Sequence, residues 1–353
     1  MLGLRHGEIL LLLSSLDSIV ISMRTLRRNL KHMGLYRRKN ESDPIEVAGF
    51  LIDQMEKHGR LHGRLCCHAE YCETLLKYLD SCGVEQQCRN RLMHDFSNAD
   101  APNPGPNFMW HVDSYDKLKS FGICINGAID GFSRVMIWLH AYSTNNDPKV
   151  IAGYFIAEVE KRMGTPARIR SDLGPENVIM AEMQRFLRWT MDQNIRNCFV
   201  TGSSNHNQLI EGWWAFQRQH HDNDCFSGCF LDNQLILFTC LNVIEEELQQ
   251  VAHLWNTHII RRSRNAVAPS GRPILTYTIS HLFGGQDHLK EVPREAVDAC
   301  KQECQQRGPY TCDETIFSLC CLIMSENLLL PPSTADESIE LYLFLRAYIL
   351  KDL

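Results

Sequence analysis

The feature that most limits how this chain can fold is a switch of hydrophobic period at residues 101–107. There Pro102, Pro104, Pro106, Gly105, Asn103 and Asn107 interrupt any regular element. Before the break, apolar residues recur every three or four positions, as on helices. After it they alternate, as on half-buried strands. Met109 to Asp113 reads as a short strand. Ile123 to Ile129 and Arg134 to His140 read as two more, joined at Asp130-Gly131-Phe132-Ser133 as a hairpin. A helix is expected from Pro148 to Met163, a strand from Ala167 to Ser171, a helix around 178–189, a strand around 195–200 and a helix from Ser204 to His220. The order β-β-β-α-β-α-β-α predicts an α/β fold, a mixed sheet with helices packed against it. Asp130, inside the tight turn, reads as a turn former.

The first hundred residues predict helices. Ile9, Leu10, Leu13, Leu16, Ile19 and Val20 lie at helical spacing, and Ser22 is placed to cap a second helix through Leu26, Leu30 and Met33 that stops at Gly34. The run Ile9 to Leu13 predicts a buried helix. It does not read as a signal peptide, because Asp17 follows closely and no small-residue cleavage site appears. The second helix and its continuation carry Arg24, Arg27, Arg28, Lys31, Arg37 and Arg38. A short break followed by a Ser-capped basic helix is the pattern of a helix-turn-helix, whose second helix meets phosphates and base edges. A solvated basic surface helix fits the same residues.

Composition refines this picture. The 44% hydrophobic and 22% charged content is that of a globular chain, which excludes wholesale disorder. No run of about 18 apolar residues is present, so no membrane partner is expected. The net charge of −6 belongs to the tail: from Asp287 onward there are 12 acidic residues against 6 basic ones, and the remainder is neutral. Positive charge is concentrated at residues 24–39 and again at Arg261, Arg262, Arg264 and Arg272, so the overall balance does not argue against an anionic partner. The 15 cysteines read as reduced thiols of an intracellular protein. His58, His62, Cys66, Cys67, His68, Cys72, Cys82 and Cys88 lie close in sequence without a Cys-x2-Cys to complete a zinc set. In the tail, Cys300 and Cys304 stand one helical turn apart, with Cys312, Cys320 and Cys321 beyond, and either buried thiols or a metal or redox role fits them.

Three acids fall where an α/β sheet binds ligands. Asp113 ends the first strand, Asp172 follows the strand after the first long helix, and Glu211 lies in the second turn of the helix from Ser204. Three carboxylates in one cleft repel one another unless a divalent cation neutralises them, and an all-oxygen set suits Mg²⁺ or Mn²⁺. Asn207 lies one turn before Glu211 and faces the same way, as a substrate-contact or capping residue. Trp213 and Trp214 fit core packing or base stacking, and Glu176 and Asn177 fit support of Asp172 or the start of a helix.

The stretches Trp110-His111-Val112-Asp113, Gly127-Ala128-Ile129-Asp130-Gly131-Phe132-Ser133-Arg134, Arg170-Ser171-Asp172-Leu173-Gly174-Pro175-Glu176-Asn177 and His206-Asn207-Gln208-Leu209-Ile210-Glu211 resemble the catalytic core of retroviral-type integrases and DDE transposases. The chain resembles transposon-derived integrase core domain proteins more closely still. That likeness extends to Trp255-Asn256-Thr257-His258 and to Pro269-Ser270-Gly271-Arg272-Pro273. The resemblance implies an RNase H-like mixed five-stranded sheet with flanking helices, in which Asp113, Asp172 and Glu211 are catalytic and bind two Mg²⁺ or Mn²⁺ ions. Thirty-eight residues separate Asp172 from Glu211, close to the family's characteristic spacing. It also implies a DNA partner met by Arg24, Arg27, Arg28, Lys31, Arg37, Arg38, Asn207, Arg261 and Arg262, a homo-oligomer and a nuclear location. Three regions are expected: residues 1–100, helical and helix-turn-helix-like; 101–280, the catalytic core; and 281–353, an acidic Cys-containing helical tail. The chain departs from its relatives at Leu209 and Ser203, where they carry arginine. The resemblance thus leaves open a DDE enzyme, a domesticated and catalytically silent DNA- or protein-binding module, or an RNase H-like nuclease acting on hybrids.

Overall fold

The computed structural model describes residues 4–35, 103–115, 118–172, 174–189, 195–201, 228–260, 269–305 and 308–351. Among these, β1 (Met109–Tyr115), β2 (Cys124–Asp130), β3 (Met136–Tyr142), β5 (Arg168–Ser171) and β6 (Phe199–Thr201) form a five-stranded sheet in the order β3-β2-β1-β5-β6. The β1–β2 and β2–β3 pairs are antiparallel, and the β1–β5 and β5–β6 pairs are parallel. The parallel pairs require crossovers, supplied by α3 (Pro148–Arg162) and α4 (Val178–Arg188). This is the predicted α/β architecture. β1 runs two residues further than its sequence suggested, so Asp113 lies within the strand rather than at its end.

The turn after β2 shows why Asp130 is where it is. Its carboxylate is fully buried and accepts from the backbone N–H groups of Asn107, Phe132 and Ser133 and from the Ser133 hydroxyl, at 2.7–3.2 Å. Burial pushes its pKa up to about 6, while those four donors pull it the other way. Asn107, at φ 57°, ties this turn to β1. Its side-chain oxygen accepts from the Trp110 indole and the Tyr277 hydroxyl, each at 2.9 Å, and its amide donates to Asp287 at 2.9 Å.

Side-chain alternation separates the two faces of the sheet. Trp110, Val112, Ala128, Ile169 and Phe199 pack beneath α3 and α4, and α7 (Arg294–Gln302) adds Val297 and Cys300 to the same core. Trp110 meets Trp138 and Phe155 edge to face, with centroids 6.2 and 6.4 Å apart. The segment leading into α7 also pairs as a short strand β7 (Lys290–Glu291) with β4 (Gly164–Thr165). On the opposite face, Ile125, Leu139 and Ala141 pack against Leu237, Leu241, Ile244 and Leu248 of α5 (Phe230–Thr257).

At 28 residues, α5 is about 42 Å long. It closes the free edge of β3. Asn256 accepts from the Met136 N–H at 2.7 Å and donates to the Met136 carbonyl at 3.2 Å. Gln249 donates to the Leu139 carbonyl at 2.8 Å, and Glu245 accepts from the Ala141 N–H at 2.7 Å. Those groups would otherwise be an open template for another strand. The Trp255-Asn256-Thr257-His258 motif therefore has a structural account: Trp255 donates to the Arg134 carbonyl at 2.8 Å, Asn256 clamps β3, and the Thr257 carbonyl accepts from Arg272. The N-terminal half of α5 packs on α8 (Glu314–Glu326) and α9 (Ala335–Lys351), with Arg346 of α9 paired at 2.8 Å to the buried Asp232.

At the N-terminus, α1 (His6–Leu16) and α2 (Met23–His32) form as expected, with the Ser22 hydroxyl accepting from the Thr25 N–H at 3.1 Å. The expectation that Ile9 to Leu13 is buried is corrected. No α1 side chain is fully enclosed by described residues, and Leu11 and Leu16 are 46% and 57% exposed. The apolar stripe is wider than α2 alone can cover. No described helix is long and apolar enough to cross a membrane.

Candidate active site

The parallel ladder between β1 and β5 pairs Met109 with Arg168, Trp110 with Ile169 and His111 with Arg170. Carried on by two residues, the same register sets Asp113 opposite Asp172, which directly follows β5. Neighbouring strands lie about 4.8 Å apart, and residues opposite each other project to the same side. Trp110, Val112 and Ile169 are committed to the core beneath α3, so the alternate residues His111, Asp113, Arg170 and Asp172 turn to the other face. Both aspartates are partly exposed.

Each carboxylate is oriented by its neighbours. Asp113 accepts the Ser114 N–H at 2.8 Å through Oδ1. Asp172 accepts the side-chain amide of the buried Asn177 at 3.1 Å through Oδ1, and the same amide reaches Glu176 at 3.2 Å. Asn177 starts α4, so the helix that follows β5 also fixes the acid that ends it. This gives Glu176 and Asn177 the supporting place suggested for them. Across the antiparallel ladder from Asp113 stands Gly127, over which Leu139 packs so closely that a Cβ would lie 3.1 Å from its Cδ1.

An all-oxygen pair on rigid neighbouring strands fits a hard divalent cation better than a soft or tetrahedral one. Among the described residues no three or more His, Cys, Asp or Glu side chains come together as a metal set. The third expected acid, Glu211, lies outside the described residues, as do Asn207, Trp213, Trp214, Arg37, Arg38, Arg261, Arg262 and the His/Cys group at 58–88. Arg24, Arg27, Arg28 and Lys31 are described and exposed on α2, while Leu26 on the same helix is buried.

In the tail, Cys300 and Cys320 are buried, and burial pushes their thiols up to about 11 and about 12. Cys304 and Cys312 are also raised, each to about 11. Burial thus keeps these thiols protonated at neutral pH. Two residues of the candidate site escaped the sequence: His111 and Arg170, whose pairing appears only once the strand register is known. Their presence in the quoted Trp110 and Arg170 stretches was the available signal.

Residues 102–271 match the family model described as integrase core domain. A search among curated proteins returned no match for the chain. The matched segment, just under half of the chain, contains the whole five-stranded sheet, the turn held by Asp130 and both aligned aspartates, and is similar to integrase core domains.

Proposed function

We propose that the protein is a DDE-type polynucleotidyl transferase in which Asp113, Asp172 and Glu211 are the metal-binding catalytic acids. The observation that carries the reading is the register of β1 against β5, which aligns two of these acids on one face of a rigid sheet. The likeness to integrase core domains implies a DNA substrate and divalent metal ions. Two Mg²⁺ or Mn²⁺ ions held by the three acids would activate a water or a 3′-hydroxyl and stabilise the leaving oxygen. The protein's own part is positional. The sheet fixes the spacing of Asp113 and Asp172, and Asn177 sets the rotation of the Asp172 carboxylate.

Arg24, Arg27, Arg28 and Lys31 on α2, together with Arg37, Arg38, Asn207, Arg261 and Arg262, supply the DNA contacts. The proposed organisation is a helical DNA-binding region over 1–100, the core over 101–280 and a helical tail over 281–353. The protein works in the nucleus as a homo-oligomer, since two DNA ends cut in concert need two catalytic cores.

The test is Mn²⁺-dependent nicking or strand transfer by the purified chain, with Asp172→Asn as control. Activity in the wild type that is lost in the variant supports the reading, and equal activity in both refutes it. A second reading, a catalytically silent DNA-binding module, is favoured by Leu209 and Ser203. Retained DNA binding with no nicking in either protein selects it.

A further inference from the structure

One rung behind the aligned aspartates, on the same face of the sheet, His111 of β1 and Arg170 of β5 stand opposite each other in the parallel ladder. Same-face neighbours along a strand are about 7 Å apart, so the Arg170 side chain starts within reach of both carboxylates. Its guanidinium is charged at every accessible pH. Arg170 thus places a permanent cation one rung behind Asp113 and Asp172 on their face of the sheet.

We propose that Arg170 is a positioning residue, a resident counter-ion that holds the acidic group together before metal arrives and weakens divalent-cation binding once it does. The inference rests on the reading of Asp113 and Asp172 as metal ligands. A fixed positive charge at this distance opposes a dication. Its removal leaves more uncompensated negative charge for the metal, and so favours binding even as it costs the metal-free protein some stability.

The experiment is titration calorimetry of the full chain with MnCl₂ at low ionic strength, for wild type, Arg170→Gln and Arg170→Lys, alongside thermal melts without metal. Arg170→Gln should tighten Mn²⁺ binding roughly threefold to tenfold, an effect that shrinks in 0.5 M salt, about three times shorter in screening length than 0.05 M. Its metal-free melting temperature should fall. Arg170→Lys, which keeps the charge, should bind Mn²⁺ like the wild type. A purely architectural arginine would give the opposite sign, with weaker Mn²⁺ binding in both variants and no salt dependence, and that result overturns the proposal. Unchanged affinity in Arg170→Gln overturns it too. If the wild type itself binds no Mn²⁺, the metal-ligand reading fails, and this inference fails with it.

Discussion

Asn107 offers a sharp test of how the core presents its first aspartate. It is 1% exposed and sits at φ 57°, a conformation glycine adopts freely. Asn107→Gly therefore relaxes the backbone, worth at most about 1 kcal/mol, while keeping the N–H that donates to Asp130. Against that gain, three side-chain hydrogen bonds disappear. Asp287 is exposed and water replaces its partner at little cost. Trp110 is wholly buried, so its indole N–H is stranded, at about 1–3 kcal/mol, and the half-buried Tyr277 hydroxyl loses its acceptor, at about 1 kcal/mol more. The side chain also leaves a void at the start of β1. The net expectation is a loss of about 2–4 kcal/mol, which for a domain of this size lowers the melting temperature by about 5–12 °C. Asn107→Ala loses the same bonds and adds the left-handed penalty, about 1 kcal/mol further. Urea unfolding followed by tryptophan fluorescence measures all three proteins. A glycine variant as stable as wild type, or more so, would refute the assignment of Asn107 as the pin that holds β1 to the turn and to the segment around Asp287.

Three further outcomes are expected. Burial pushes the Glu247 carboxyl up to about 7, above the 4.5 of an unfolded chain. The stability tied to this group is thus complete below about pH 4.5 and is lost as pH rises through 7. Glu247→Gln should flatten that decline and exceed wild type by up to about 3 kcal/mol at pH 8 in chemical denaturation; a variant with an unchanged pH slope contradicts the assignment. Arg346→Ala leaves the 1%-exposed Asp232 without its 2.8 Å ion-pair partner and should destabilise the α5–α9 contact by about 2–3 kcal/mol, with Asp232→Leu in the same chain restoring much of it. Asn256→Ala opens the Met136 edge of β3, and light scattering should detect self-association at concentrations where the wild type stays dispersed.

The alternation of apolar residues after the 101–107 break was enough to read the order of the strands along the chain. Trp110 and Val112 alternate with His111 and Asp113, which tells core side from cleft side without coordinates. The turn at Asp130 and the Ser22 cap were legible because each rests on a local hydrogen bond. α5 was hard to read for a physical reason. Its residues meet the sheet face, the β3 edge and α8 with α9 in succession, so its apolar positions do not fall on one stripe. The two-residue strands β4 and β7 are too short to carry a period, and they pair across more than a hundred residues of sequence. In the candidate site, the acids announced themselves by type and spacing. The pairing of Arg170 with His111 could not, because register is a property of two strands rather than of either alone.

The account turns on whether the acids at 113 and 172 act as one cation site. Electron paramagnetic resonance of Mn²⁺ titrated into the full-length chain measures this directly, by counting bound ions in wild type, Asp113→Asn, Asp172→Asn and Glu211→Gln. Saturable binding of two ions in the wild type, with each aspartate variant losing at least one and the glutamine variant weakened, is the predicted result. Undiminished Mn²⁺ binding in the Asp113→Asn/Asp172→Asn double variant would show that the aligned carboxylates are not the metal site.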